Sequence, residues 1–216
     1  MKWLFLALTF LVGYFVGSVN FSLLVTKYIG KIDIYSVGSG NAGGTNVARS
    51  MGLGWGITVM AAEILKSMVF GCLAKYLFPA DQFGLGEVGM CLSGLICVAG
   101  CLLGNFYPCL AHFKGGKGVS VMGGFLIVLN PWIFVIVFSC FLLVLFSFRM
   151  VSLSSIVCGI VIPVCVGLFY YGQPGWIWLT VLSAVMCASV ILRHSGNIQR
   201  IFLGTERKIS LGKKKK

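Results

Sequence analysis

Long apolar runs separated by short polar breaks set the pattern of this chain. The runs fall at residues 3–28, 52–78, 88–110, 119–129, 132–148, 151–171 and 175–192. The breaks hold turn formers and charges: Gly30 to Asp33, Pro79-Ala80-Asp81, Asn130-Pro131, Arg149 and Gly172-Gln173-Pro174. Apolar stretches of about 18 residues or more are long enough to cross a bilayer as helices. The pattern therefore predicts an all-α fold, a polytopic membrane helical bundle of about seven transmembrane helices. The run at 119–129 is short; at about 1.5 Å per residue it covers about half of a 30 Å core. The count falls to six or five if short pieces are re-entrant. Residues 3–28 are read as a retained first helix, because the apolar stretch is too long for a signal peptide and no small-residue cleavage site follows.

Composition narrows the class. Charged residues make up only 10% of the 216 positions, where a soluble domain carries about 25%. A single integral membrane domain over 1–216 is expected. The net charge of +12 fits a membrane protein whose basic residues gather in cytoplasmic loops. Seven spans, with the N-terminus outside and the C-terminus cytoplasmic, put Lys27, Lys31, Arg49, Lys114, Lys117, Arg149, Arg193, Arg200, Arg207, Lys208 and the tail Lys213 to Lys216 inside. Asp81 and Glu87 fall outside. The lysine tail suits an anionic lipid bilayer, and no nucleic-acid partner is expected. The nine cysteines lie mostly within apolar runs without a CxxC pair, and read as small apolar filler. Gly13/Gly17 and Gly100/Gly104 have the spacing of helix-packing pairs.

Three polar, glycine-rich segments interrupt this pattern, and the seven-span topology places all three on the cytoplasmic face, where they can converge. Phe113-Lys114-Gly115-Gly116-Lys117-Gly118 offers a backbone able to curl its amides around an anion, two lysines, and the start of a helix at Val119. It is not a Walker A loop, since no glycine stands five positions before Gly116 and no Ser or Thr follows Lys117. The alternative is a plain basic turn. Ser39-Gly40-Asn41-Ala42-Gly43-Gly44-Thr45-Asn46 with Arg49 combines hydroxyls, amides and a guanidinium suited to a phosphate and to glycerol-like hydroxyls. Its alternative is a turn capping a helix that begins near Gly52. The third segment carries His194, Arg193, Asn197, Arg200 and Glu206; His194 is read as structural or as a hydrogen-bonding site residue. Inside the spans, Glu63 and Lys66 are costly at membrane depth and share a helix face; they pair with each other or with a loop residue such as Arg49. Ser152 either faces a site or caps a helix. No Ser-His-Asp triad, nucleophile elbow or zinc motif is present. An enzyme built this way holds anions and positions reactants.

Taken together, the three segments resemble the bacterial acyl-phosphate:glycerol-3-phosphate acyltransferase family of the membrane-integral PlsY type. The first family motif is matched by Ser39-Gly40-Asn41 through Thr45-Asn46 and Arg49. The second is matched by Gly104 through Pro108 with Phe113 to Val119, and the third by His194, Asn197-Ile198, Arg200, Gly204 and Glu206. The resemblance covers essentially the whole chain. It implies acyl transfer from acyl phosphate to the 1-hydroxyl of sn-glycerol 3-phosphate, without a cofactor or metal, in the bacterial cytoplasmic (inner) membrane. It also implies His194, Asn197 and Ser39 as catalytic residues. Asn41, Thr45, Asn46, Arg49, Lys114, Gly115, Gly116, Lys117 and Ser152 would contact substrate. Glu206, Glu63 and Lys66 would be structural.

Two departures stand out. The second motif usually begins Gly-His, and here it reads Gly104-Asn105; asparagine cannot serve as a base. The second span usually carries Asp-x-x-Lys-Gly, and here reads Glu63-Ile64-Leu65-Lys66-Ser67. The rival from another class, an anion transporter, is disfavoured because charges within the spans are too few to line a continuous polar path. An inactive scaffold is the second rival.

Overall fold

In lipid every backbone polar group must be satisfied within the chain, so helices are the expected solution. The computed structural model describes residues 2–77 and 86–209. The expected Pro79-Ala80-Asp81 break and the Lys213 to Lys216 tail lie outside the described residues. The elements are α1 (Lys2–Ser18), α2 (Phe21–Leu24) running into a π-helical turn (Val25–Ile29), α3 (Gly44–Met51), α4 (Leu53–Leu77), α5 (Gly86–Phe106), a 3-10 turn (Cys109–Ala111), α6 (Val119–Leu129), α7 (Pro131–Phe148), α8 (Val151–Tyr170), α9 (Trp176–Leu192) and α10 (Ser195–Phe202). No strand occurs among the described residues.

Five stretches are long and apolar enough to cross a membrane: Trp3–Ile29, Leu53–Leu77, Cys91–Ala111, Pro131–Phe148 and Val151–Tyr170. A sixth is obtained if α9 and α10, bent by 61°, count as one broken span. α6 has 11 residues and is the short run noted in the sequence. The polytopic helical architecture is as expected. The chain divides into two compact units: residues 1–131 with Gly172–Gly175, and Trp132–Tyr171 with Trp176 onward.

In the first unit, the run at 3–28 is not one helix. It breaks between Ser18 and Phe21, where Asn20 caps α2 by accepting from the Leu23 amide at 3.2 Å. A break inside an apolar span strands backbone groups, and two side chains of α4 take them up. Lys66 Nζ donates to the Val19 carbonyl at 2.6 Å, and Glu63 Oε1 accepts from the Phe21 amide at 2.8 Å. The two side chains also pair at 2.7 Å and are both buried. The mutual pairing expected of them is formed.

α1 lies against α5 with backbones in close approach. A Cβ on Gly13 would sit 2.0 Å from the Cys97 carbonyl, and one on Gly100 would sit 2.1 Å from the Phe10 carbonyl. Small residues at such spacing let membrane helices touch where lipid supplies no hydrophobic drive between them. α4 packs on both α5 and α6. Hydroxyls stitch these helices: Ser67 donates to the Val121 carbonyl at 3.3 Å and Ser93 to the Ala74 carbonyl at 3.1 Å. In the second unit α8 packs against α9, and the Cys158 thiol lies 3.5 Å from the Val137 carbonyl of α7. All nine cysteines are free thiols.

Candidate active site

The first polar segment is ordered from inside by Asn46. This residue is 2% exposed. Its Oδ1 accepts from the Ser39 amide at 2.8 Å, while its Nδ2 donates to the carbonyls of Ile34 and Val37 at 3.1 and 3.0 Å. A buried amide with both ends bonded to one loop fixes that loop's path. Residues 44–51 are helical, so Thr45, Asn46 and Arg49 sit on α3 rather than on a loop. The segment is not a plain turn leading into the helix near Gly52: α3 (Gly44–Met51) intervenes before α4 begins at Leu53. Ser39 and Arg49 are exposed, and Asn41 and Thr45 are half-buried.

The second segment rests on Asn105, at the end of α5 and 5% exposed. The Gly116 amide donates to the Asn105 carbonyl at 2.9 Å, and the Gly118 amide to Asn105 Oδ1 at 3.1 Å. The Lys114 amide donates to the Ala111 carbonyl at 3.0 Å. These three amides therefore serve the loop's own packing, where the sequence suggested a nest around an anion. The glycines serve close approach: a Cβ on Gly115 would lie 2.0 Å from the Asn105 carbonyl, and one on Gly116 would lie 2.7 Å from the Ala42 carbonyl. Gly118 takes φ +74° and starts α6. Lys114 is exposed and Lys117 half-buried.

The first and second segments meet. Tyr35 donates its hydroxyl to the Lys114 carbonyl. Burial and the neighbouring Asp33 carboxylate push the Tyr35 phenol above its ordinary value, so it stays a donor. Asn20 Nδ2 reaches the Ala42 carbonyl at 3.5 Å. The cations Arg49, Lys114 and Lys117 thus belong to one braced framework. Tyr35 and Asn20 carry no motif signal, and their part comes from contacts 79 and 22 positions apart.

The third segment lies in the second unit and is organised by Glu206. Its Oε1 accepts from the Ser152 hydroxyl and from Asn197 Nδ2, both at 2.8 Å. Its Oε2 accepts from Arg200 Nε at 2.8 Å. Burial pushes the Glu206 carboxyl up, but the hydrogen bonds from Asn197, Ser152 and Arg200, with the Arg200 charge, more than offset this and hold it below the usual carboxylate range. Asn197 and Arg200 stand three apart on one face of α10, which is why both reach it. Ser152 lies in the first turn of α8, whose cap residue is Met150, so its hydroxyl braces Glu206 instead of capping. His194 precedes α10 and is buried. Its Nδ1 lies 2.8 Å from the Val190 carbonyl. A carbonyl oxygen can only accept, so Nδ1 carries a proton and donates it to Val190.

The chain is similar to known proteins over nearly its whole length. The family model described as glycerol-3-phosphate acyltransferase matches residues 7–204. A glycerol-3-phosphate acyltransferase of Ralstonia pickettii (strain 12J) is 34% identical, over 95% of this chain and 94% of the relative. Glycerol-3-phosphate acyltransferase 3 of Bacillus anthracis is 39% identical, over 97% and 98%. Among solved structures, the glycerol 3-phosphate form of PlsY (YgiH), an integral membrane glycerol 3-phosphate acyltransferase, superposes with a TM-score of 0.80 at 30% identity, covering 95% of this chain and 96% of that one. The lysophosphatidic acid form of PlsY gives 0.77 at 29% identity, covering 95% of each. A helical membrane protein with these three segments in this order, matched nearly end to end, belongs to the glycerol-3-phosphate acyltransferase family.

Proposed function

We propose that the protein transfers a fatty acyl group from acyl phosphate to the 1-hydroxyl of sn-glycerol 3-phosphate, giving lysophosphatidic acid and inorganic phosphate, the first acylation of phospholipid synthesis. The observation that carries this reading is the braced pair of segments that sets Arg49, Lys114 and Lys117 in one framework. Solved relatives holding glycerol 3-phosphate and lysophosphatidic acid support it.

The chemistry asks little beyond charge and alignment. The glycerol hydroxyl oxygen attacks the acyl carbonyl carbon, an ester C–O bond forms, and the bond to the phosphate oxygen breaks. The phosphate leaves with its electron pair, and the hydroxyl proton passes to a substrate phosphate oxygen. Arg49 binds phosphate in a bidentate fork, with Ser39, Asn41 and Thr45 bonding to glycerol or phosphate oxygens. Lys114 and Lys117 hold phosphate, and Gly115 and Gly116 between them let the loop that carries both lysines pack closely. Such preorganised cations stabilise charge as it moves onto the leaving group. Asn46 acts by shaping its segment. His194 and Asn197 orient the hydroxyl, and Ser152 acts through Glu206. Glu63 and Lys66 are structural.

The protein works as one integral membrane domain in the bacterial inner membrane. Counting the short α6 and the bent α9–α10 pair with the five long apolar stretches gives it seven spans, with an external N-terminus, a cytoplasmic C-terminus and its chemistry on the cytoplasmic side. Net charge +12 and the lysine tail favour an anionic bilayer.

The test is phosphate release by purified protein in lipid, with palmitoyl phosphate and glycerol 3-phosphate and metal chelated. Release is expected only with both substrates, and is expected to fall at least about a hundredfold in Lys117→Ala and Arg49→Ala proteins that still fold. Release independent of glycerol 3-phosphate, or none at all from folded wild type, overturns the reading.

A further inference from the structure

Asn105 stands where two networks join. On one side is the α1–α2 break, whose Phe21 amide is held by Glu63 Oε1. On the other is the lysine-bearing segment, whose Gly118 amide is held by Asn105 Oδ1. Between them Asn105 Nδ2 donates to Glu63 Oε2 at 3.3 Å. Glu63 is itself anchored by Lys66 at 2.7 Å. A carboxylate needs donors and the Gly118 N–H needs an acceptor, so the side chain between them must offer both on one short, planar group. Asparagine does so without titrating.

We propose that Asn105 is a positioning residue for the acyl-transfer reaction. It carries the fixed location of Glu63 to Gly118, and thereby sets the turn that aims Lys114 and Lys117. The inference rests on the phosphate-binding part assigned to that segment above. It gives the asparagine at this position a constructive part, where the sequence marked it only as a missing base. A side chain that merely filled the space would leave the Gly118 amide and one edge of Glu63 without their present partner. Both groups are buried, where a missing partner is costly.

The experiment compares wild type with Asn105→Leu, Asn105→Asp and the double variant Glu63→Gln/Asn105→Asp, all purified into lipid. The double variant reverses donor and acceptor across the contact while keeping one negative charge. Two quantities are read: hydrogen exchange in peptides covering 113–118, and the KM and kcat for glycerol 3-phosphate and for palmitoyl phosphate. Both single variants are expected to speed exchange in 113–118 while α4 and α5 peptides stay protected. They are also expected to raise KM for a phosphate substrate about tenfold with kcat changed less than about threefold. The double variant is expected to recover most of the loss seen in Asn105→Asp. Unchanged loop exchange and KM in the single variants, or a double variant no better than Asn105→Asp, overturns the proposal. Should Asn105→Asp not accumulate as folded protein, Asn105→Ser replaces it, and unchanged exchange there overturns the proposal equally. Wild type without acyl transfer would sink the functional reading alone, because the exchange measurement does not depend on turnover.

Discussion

The carboxylate of Glu63 holds the backbone amide of Phe21 at 2.8 Å, across 42 positions of sequence. Its neighbour Lys66 holds the Val19 carbonyl on the other side of the same break. One ion pair on α4 thus closes an interrupted helix that the bilayer would otherwise penalise. Removing one member leaves a buried charge without its counter-ion, at a cost of about 3–5 kcal/mol. Glu63→Ala should therefore lower the thermal unfolding midpoint by many degrees. Glu63→Gln, which keeps an acceptor for Phe21, should cost less. Equal midpoints for wild type and Glu63→Ala would show that the break is held by something else.

Contact between α1 and α5 makes a second prediction that reverses sign along the chain. A Cβ at Gly100 would meet the Phe10 carbonyl at 2.1 Å, whereas one at Gly167 would meet Thr180 at an ordinary 3.6 Å. Gly100→Ala should destabilise by about 1–3 kcal/mol through overpacking. Gly167→Ala should be neutral or slightly stabilising, since alanine is the better helix former. Thermal unfolding of both in one detergent decides it, and a stable Gly100→Ala protein would contradict the close approach.

Glu206 gives the third prediction, and its sign follows from its depressed pKa. The folded value lies below the unfolded one, so the stabilisation is complete above the usual carboxylate range and is lost as pH falls through the folded value. Activity should fall on the acid side as the bonds to Ser152, Asn197 and Arg200 are lost. Glu206→Gln should flatten that acid limb while lowering the plateau. Glu206→Ala should cost at least about tenfold in kcat/KM, because three donors lose their acceptor. A pH–rate profile of the three proteins checks this, and an identical acid limb in Glu206→Gln would assign it to another group.

Asn46 is predicted to act by shaping its segment. Asn46→Asp keeps the acceptor for Ser39 and loses the donors to Ile34 and Val37. It should speed hydrogen exchange across 34–46 and raise KM, with kcat affected less. Exchange as slow as in wild type would return Asn46 to direct substrate contact.

How much of this was legible beforehand differs by residue. The apolar runs foretold α4, α7, α8 and α9, because a spanning backbone must satisfy itself and only long apolar helices do so cheaply. Gly13/Gly17 and Gly100/Gly104 announced helix contact by spacing alone. The three polar segments were visible because lipid makes such residues expensive, and their order along the chain pointed to the family. Residues 19–20 gave no comparable sign: Asn20 is one polar residue in an apolar run, and whether it interrupts the helix depends on Glu63 and Lys66 arriving from α4.

The sequence by itself determined what is set by local chemistry: which stretches prefer lipid, which helix faces are small, and where cations and glycines gather. The tertiary structure alone decided which polar groups meet. The motif pattern points to Asn46 as a substrate contact, and the fold bonds its side chain to its own loop; Asn105 reads in sequence as a missing base, and in the fold it bonds both Glu63 and Gly118; Tyr35 carries no motif signal and joins two segments. In each case the deciding partner lies on another element, and a hydrogen bond is short-ranged and directional. No pattern along one segment reports the partner that only folding brings within reach.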